Sequence, residues 1–292
     1  MRFPENKPAW LFLAPFAIFF VLFLVWPIIY MIIGSFFNTS IVKSGFGSFA
    51  GFDNYHEMLT KKDFWDSIWH TIYFTILTTI PLVILAFVFA ILANRVRHGQ
   101  WFYRLAFFVP FILPSASIAL IWIFIYTPIT GLLPVIQTWL GRTAPLPVLG
   151  TQNLAMIGIA ITTIWWTIGF NFIIYLAGLQ DIPRELYEAA AVDGASPWQQ
   201  IRRITIPLLS RTTTLVLLLQ IIASLKIFDQ VYLMTAGGPG TSTQVTLGLI
   251  TNTSFTDYRV GAASAASVLF FILIVVIAAL FQLVQRFQNR TA

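Results

Sequence analysis

Six apolar runs divide the chain, at about residues 9–34, 68–93, 103–126, 154–179, 210–234 and 262–284. Each comes close to the roughly 20 residues a helix needs to cross about 30 Å of hydrocarbon. No water competes for backbone N–H and C=O groups inside a bilayer, so runs of this kind form helices that satisfy their own backbone. The fold class expected is therefore all-α: a polytopic membrane protein with six transmembrane helices. A soluble fold fails on quantity, because 58% of the 292 residues are hydrophobic and 10% are charged, more apolar surface than one core can hide. The first run is too long for a signal-peptide core and has no clean small-x-small cleavage site ahead of a polar chain. It reads as a retained span.

Charge sets the orientation. With the first terminus inside, the inner segments carry Arg2, Lys7, Arg95, Arg97, Arg104, Arg184, Arg202, Arg203, Arg211, Arg286 and Arg290. The longer outer segments carry Lys43, Lys61, Lys62, Arg142 and Arg259. The positive-inside rule then places both termini in the cytoplasm. The net charge of +6 sits in clusters at the ends of apolar runs, where topology signals belong, so no nucleic-acid partner is expected. Cysteine is absent, which excludes disulfides and thiolate chemistry. His56, His70 and His98 are isolated from one another and from any H-E-x-x-H pattern, so neither a metal site nor a protease centre is expected. Pro110 and Pro114 remove backbone donors from the third run and should bend or locally unwind it. The small residues of "GAASAAS", Gly261 to Ser267, suit close packing against another span.

One inner connection is too ordered to be slack chain. From about Asp181 to Pro207 the sequence reads as two short helices around a sharp turn. "RELYEAAAVD" is rich in helix formers, with Arg184 and Glu188 spaced as an i,i+4 pair. Gly194 supplies a left-handed stop, and "SPWQ" restarts the helix with a Ser196 cap, Pro197 at the first position and Gln199 completing a capping box. Two readings follow. The alanines, flanked by Glu188, Asp193 and Trp198, suit a surface on which another protein docks. The same segment also suits an interfacial helix pair held at the headgroups by Arg202 and Arg203.

"EAAAVDGASPWQQIRRITIPLL", Glu188 to Leu209, closely resembles the EAA loop of permease subunits of bacterial ATP-binding-cassette importers, with Glu188, Ala189, Ala190, Asp193, Gly194, Ile204 and Pro207 at the expected places. The resemblance implies a single transmembrane permease domain over 1–292, with 181–207 as a cytoplasmic coupling helix pair. It assigns ATPase coupling to Glu188, Ala189, Ala190, Asp193, Gly194, Trp198 and Pro207. The chain has no G-x-x-x-x-G-K-[ST] loop, so it is expected to bind no cofactor itself; ATP and magnesium would belong to a partner ATPase. No catalytic residues are expected.

"GFDNYHEMLTKKDFWDSIWHTIYFT", "AGLQDIPRELYEAA", "FDQVYLMTAGGPGTST" and "YRVGAASAASVLFFI" resemble the sugar-permease branch, typified by the larger membrane subunit of the maltose importer. That subunit's extra N-terminal spans and large outer domain have no counterpart here. The resemblance implies a second, related permease chain, two ATPase subunits, an extracytoplasmic solute-binding protein and a carbohydrate substrate, in a bacterial or archaeal cytoplasmic membrane. Polar residues at membrane depth mark candidate pathway positions, because each is costly if it faces lipid. Counting from the EAA loop, the positions that resemble substrate contacts are Gln220, Ala223, Ser224 and Ile227 on the fifth span. On the fourth the count is open by one residue and marks a zone, Thr167, Gly169, Phe170 and Asn171. Trp165 and Trp166 could stack on sugar rings or sit as interface anchors, and Lys226 and Asp229 are spaced to pair at i,i+3. The competing class is a self-contained secondary transporter or channel. Against it, the middles of spans one to four hold no charged residue from which to build an ion-coupling site.

Overall fold

The computed structural model of the chain describes residues 7–43, 45–96, 99–141, 144 and 146–291. Arg2, Arg97, His98 and Arg142, named above, lie outside the described residues. So do the side chains of Lys7, Arg286 and Arg290. Among the described residues no strand forms; Phe37 and Phe49 make one isolated bridge. Four helical stretches are long and apolar enough to cross a membrane: Phe12–Gly34, Lys62–Arg95, Gln152–Gln180 and Val260–Leu283. Two bent helix pairs raise the number to six if each counts as one span. The chain separates into two compact units, residues 1–65 with 249–273, and residues 66–248 with 274–292.

In the first unit, α1 (Lys7–Phe20) passes through a π-helical segment, Val21–Val25, into α2 (Trp26–Gly34). None of the apolar window of this stretch is buried within the chain. The short helix α3 (Asp53–Thr60) is pinned to the end of α2 by Asn54, whose Nδ2 donates to the carbonyls of Ser35 and Phe37 at 2.9 and 3.0 Å. The small stretch "GAASAAS" finds its partner here. A Cβ on Gly261 would lie 2.0 Å from the Phe37 carbonyl oxygen, and the Gly261 N–H donates to the Thr39 carbonyl at 3.0 Å. Ala262, Ala263, Ala265 and Ala266 are all buried. On the polar side Glu57 accepts two hydrogen bonds from the Arg259 guanidinium and one ion-pair contact from Lys61. The guanidinium holds its carboxyl well below the usual range, from 4.5 to about 2.

The second unit is built around α8 (Gln152–Gln180), whose buried face carries Phe172, Tyr175, Leu176 and Leu179 against Leu82, Ala86 and Ala90 of α4 (Lys62–Arg95). A second cluster joins Met156, Ile159 and Ala160 of α8 to Phe74, Ala119, Val231 and Met234. Threonines are tolerated at depth because their hydroxyls donate back to their own helix, as Thr71, Thr75 and Thr78 do at 2.8, 2.8 and 2.9 Å. The third expected span is broken into α5 (Gln100–Ile112) and α6 (Ser115–Tyr126), bent by 97°. The break falls at Leu113–Pro114, where proline has no N–H to give and forces its predecessor out of the helical region. The Trp166 indole N–H donates to the Leu113 carbonyl at 3.2 Å, satisfying one backbone group that the break sets free.

The fifth run departs from expectation. A continuous helix over 210–234 is predicted from the sequence, but α12 (Ser210–Leu225) stops at Lys226, and a new helix begins at Asp229 and ends at Thr235. Residues 226–228 are not helical. The i,i+3 geometry expected for Lys226 and Asp229 therefore does not exist, and the two do not close an ion pair. Numbering the helices in chain order, α7 is Leu132–Trp139, α9 Arg184–Val192, α10 Pro197–Gln200, α11 Ile206–Leu208, α13 Asp229–Thr235, α14 Thr246–Thr251 and α15 Val260–Thr291.

Candidate functional site

The segment 181–207 is a formed helix-turn-helix. Helix α9 ends in a 6→1 and 5→2 pair of hydrogen bonds, Ala195 N–H to Ala190 C=O at 2.8 Å and Gly194 N–H to Ala191 C=O at 3.1 Å. Gly194 takes φ +76°, the left-handed position this closure needs. Helix α10 starts with the full capping box: Gln199 N–H donates to Ser196 Oγ at 3.3 Å, and Ser196 N–H donates to Gln199 Oε1 at 2.7 Å. A π-helical turn, Ile201–Thr205, then leads into α11, where Pro207 sits at the start of an elbow that turns the chain by 64° into α12. Arg184 and Glu188 do not form an ion pair among the described residues.

Inward contacts hold the loop. Tyr187 and Ile204 pack on the α4–α8 core, and the Tyr187 hydroxyl lies 3.0 Å from that of Thr205. The opposite face is bare. Glu188, Ala189, Asp193, Gly194, Trp198 and Pro207 are exposed, and Ala190 is half-buried. Val192 is 88% exposed and Trp198 67%. Val192 escaped the sequence reading, although it lies three and four residues beyond Ala189 and Glu188 and so shares their helix face. Two large apolar side chains left uncovered on a well-capped, tethered loop make a surface suited to docking.

A cavity of about 300 Å³ opens within the second unit. Thr167, Phe170, Gln220, Ala223, Ser224 and Ile227 line it, together with Phe111, Thr163, Trp166, Lys226, Phe228, Asp229 and Gln230 among others. Gly169 and Asn171 stand apart from that lining. Gly169 lies where α8 meets α5, and a Cβ there would sit 2.0 Å from the Phe107 carbonyl oxygen. Asn171 is buried behind the cavity and donates from Nδ2 to Gln220 Oε1 at 2.8 Å. Gln220 Nε2 donates to Ser224 Oγ at 2.9 Å, and Ser224 Oγ lies 3.0 Å from Thr78 Oγ1. Thr78 has one proton and gives it to the Phe74 carbonyl, so Ser224 is the donor to Thr78. The result is a one-way donor chain tying α8, α12 and α4 together beside the cavity. Of the two tryptophans, Trp166 faces the cavity, whereas Trp165 packs edge-on to Trp122 with ring centroids 5.7 Å apart. The break at 226–228 turns Lys226, Phe228, Asp229 and Gln230 toward the cavity. Helical counting missed Phe228 and Gln230, because periodicity carried through an unbroken span gives no hint of a break. Among the described residues no group of His, Asp and Glu side chains is placed to hold a metal ion.

Residues 83–290 match the family of binding-protein-dependent transport system inner membrane components. The chain belongs to this family. The sulfoquinovosyl glycerol transport system permease protein SmoG of Agrobacterium fabrum is 34% identical to it over 95% of this chain and 90% of that protein. The trehalose/maltose transport system permease protein MalF of Thermococcus litoralis is 32% identical over 99% of this chain and 97% of its own length. In fold, the permease is similar to a chain of a bacterial ABC transporter involved in the import of the acidic polysaccharide alginate. The TM-score is 0.83 at 24% identity, covering 96% of each chain. The permease is thus a multi-pass inner-membrane component, with the fold of an ABC-importer permease.

Proposed function

We propose that the permease forms half of the translocation path of a carbohydrate importer driven by separate ATPase subunits. The observation that carries this reading is the cavity. Gln220, Ala223, Ser224 and Ile227, picked out by position relative to the EAA loop, and Thr167 and Phe170 of the fourth-span zone come together around one space with aromatic walls and amide and hydroxyl groups. Such a lining suits a polyhydroxylated solute, whose ring faces are apolar and whose rims hydrogen-bond. The transport systems of the relatives named for sulfoquinovosyl glycerol and for trehalose and maltose support the same substrate class.

In this reading the permease is a non-catalytic subunit. It works with a second, related permease chain, two ATPases that bind ATP and magnesium, and an extracytoplasmic solute-binding protein. Both termini and the segment 181–207 face the cytoplasm. Closure of the ATPase pair on ATP binding draws in the loop at Glu188, Ala189, Ala190, Asp193, Gly194 and Trp198, and Pro207 transmits the movement to α12. The spans then turn the cavity outward to receive solute from the binding protein, and hydrolysis resets them. A rigid lever is needed for this, and the closed turn at Gly194 with its capping box supplies one.

Co-purification from native membranes tests the arrangement. The unmodified permease should bring down an ATPase and a second permease. Gly194→Pro, which locks φ near −65° where +76° is required, should lose the ATPase while still inserting in the membrane. If the unmodified chain carries no ATPase and moves solute down an ion gradient alone, the reading is wrong and a self-contained transporter replaces it.

A further inference from the structure

The uncharged polar side chains that line the cavity differ in how far their hydrogen-bonding capacity is already spent. The Thr163 hydroxyl donates to the Ile159 carbonyl at 2.9 Å, and the Thr167 hydroxyl to the Thr163 carbonyl at 2.7 Å. Ser224 gives its proton to Thr78. Gln220, the residue most prominent in the sequence, is held on both sides, accepting from Asn171 and donating to Ser224. Gln230 is different. It lies in the first turn of α13, is 3% exposed, and its Nε2 is buried with no protein acceptor, although the side chain lines the cavity.

A buried amide donor without an acceptor is costly, by about 1–3 kcal/mol, and here Nε2 is turned inward, sealed from the cavity; a half-turn of the terminal amide exchanges it with Oε1 and gives it an acceptor from what fills the cavity. Water serves between transport cycles, and a solute that displaces the water has to present an oxygen in its place. We infer that Gln230 is a specificity-determining residue of the permease, its Nε2 donating to a hydroxyl or ring oxygen of the carbohydrate as it enters the cavity. This rests on the carbohydrate reading above and adds to it the amide that reads the sugar. Gln220 then acts as a positioning residue, keeping α8, α12 and α4 in place behind the cavity.

The location gives this reading its physical sense. Gln230 reaches the cavity because α12 stops at Lys226 and the chain restarts at Asp229. Lys226 and Asp229 flank it in the same lining. A donor on a short helix beyond a break is set independently of the packed face of α12. It can therefore differ between permeases of different substrate without disturbing the donor chain behind the cavity.

The test uses the complete importer in proteoliposomes, with uptake of labelled glucose, maltose, trehalose and glycerol 3-phosphate. Whichever sugar is moved is then compared with its set of single-deoxy analogues. The unmodified importer should take up one analogue with KM raised about 10-fold, the one lacking the oxygen that Gln230 contacts. Gln230→Leu should raise KM for the parent sugar by a similar factor and erase the penalty for that analogue alone. Should the leucine variant fail to assemble, Gln230→Met, close in length and equally without a donor, takes its place. If the variants keep the unmodified pattern of discrimination, or weaken parent and analogues equally, the inference is overturned while the carbohydrate reading stands. If the unmodified importer moves none of these solutes, the two fall together.

Discussion

Gly169→Ala adds a single methyl group, and the structure sets its consequence. A Cβ at this position would stand 2.0 Å from the Phe107 carbonyl oxygen, 2.6 Å from its carbon and 2.9 Å from the Phe108 Cα. All three are backbone atoms of α5, so no side chain can swing aside. A carbon and a carbonyl oxygen in contact sit at about 3.3 Å or more, so α5 has to retreat by roughly 1.3 Å. The same retreat loosens Phe107 from Phe89 and Phe172, whose ring centroids lie 4.9 and 5.0 Å away. Overpacking of this kind costs about 1–3 kcal/mol, and alanine returns about 0.5–1 kcal/mol as the better helix former. With the ring contacts weakened as well, the net loss should be about 2 kcal/mol. Gly248→Ala is the control, because its Cβ would meet side-chain atoms no closer than 3.5 Å. The assay is thermal unfolding in detergent followed by tryptophan fluorescence, with Gly169→Ala, Gly248→Ala and the unmodified permease in parallel. Gly169→Ala should unfold several degrees lower while Gly248→Ala stays level or rises. Equal midpoints would refute the close approach of α8 to α5.

Three further outcomes follow from other sites. Gly194→Ala meets no atom within 4 Å but must hold φ +76°, at a cost of about 1–2 kcal/mol, so it should fold normally and bind the ATPase more weakly, measured by co-purification, without the full loss expected of Gly194→Pro. The Glu57 carboxyl has its folded-state value depressed from 4.5 to about 2 by the Arg259 guanidinium, so its contribution is complete above pH 4.5 and fades as pH falls toward 2; Glu57→Gln should be less stable at neutral pH by about 1 kcal/mol, and the gap should close in acid melts across that window. Trp166→Phe removes the donor to the Leu113 carbonyl while keeping an aromatic wall, and should cost about 1 kcal/mol of thermal stability with the cavity still lined.

Much of this architecture was legible in the chain because hydrophobic length is a strong constraint on anything that lives in a bilayer. The spans at 9–34, 68–93, 154–179 and 262–284 correspond closely to continuous helices, and Pro114 marks the break in the third. The capping box at Ser196 and the left-handed Gly194 were equally readable, since both depend on local backbone chemistry. The break after Leu225 was not. Lys226, Ile227 and Phe228 contain neither proline nor glycine, and their departure from the helix depends on tertiary surroundings that include the burial of Ile227 in the core. The same tertiary information separates Gly169 and Asn171 from their neighbours on α8. A count along the helix places all four candidates together, and only the packing of α5 and α12 decides which of them face the cavity.

The hydrogen-bonded run from Asn171 through Gln220, Ser224 and Thr78 to the Phe74 carbonyl has a sense as well as a membership. Asn171 only donates, Gln220, Ser224 and Thr78 each accept from the group behind and donate to the one ahead, and the Phe74 carbonyl only accepts, so three helices are keyed like the wards of a lock. Sliding α12 past α8 by one residue would set Leu219 or Ile221 where Gln220 belongs and leave the Asn171 donor facing an apolar side chain. The permease core therefore has few small, graded rearrangements open to it. Any displacement imposed on α12 through the segment 181–207 either moves the three helices as one block or breaks the run at a single link, and the weakest link sets the threshold.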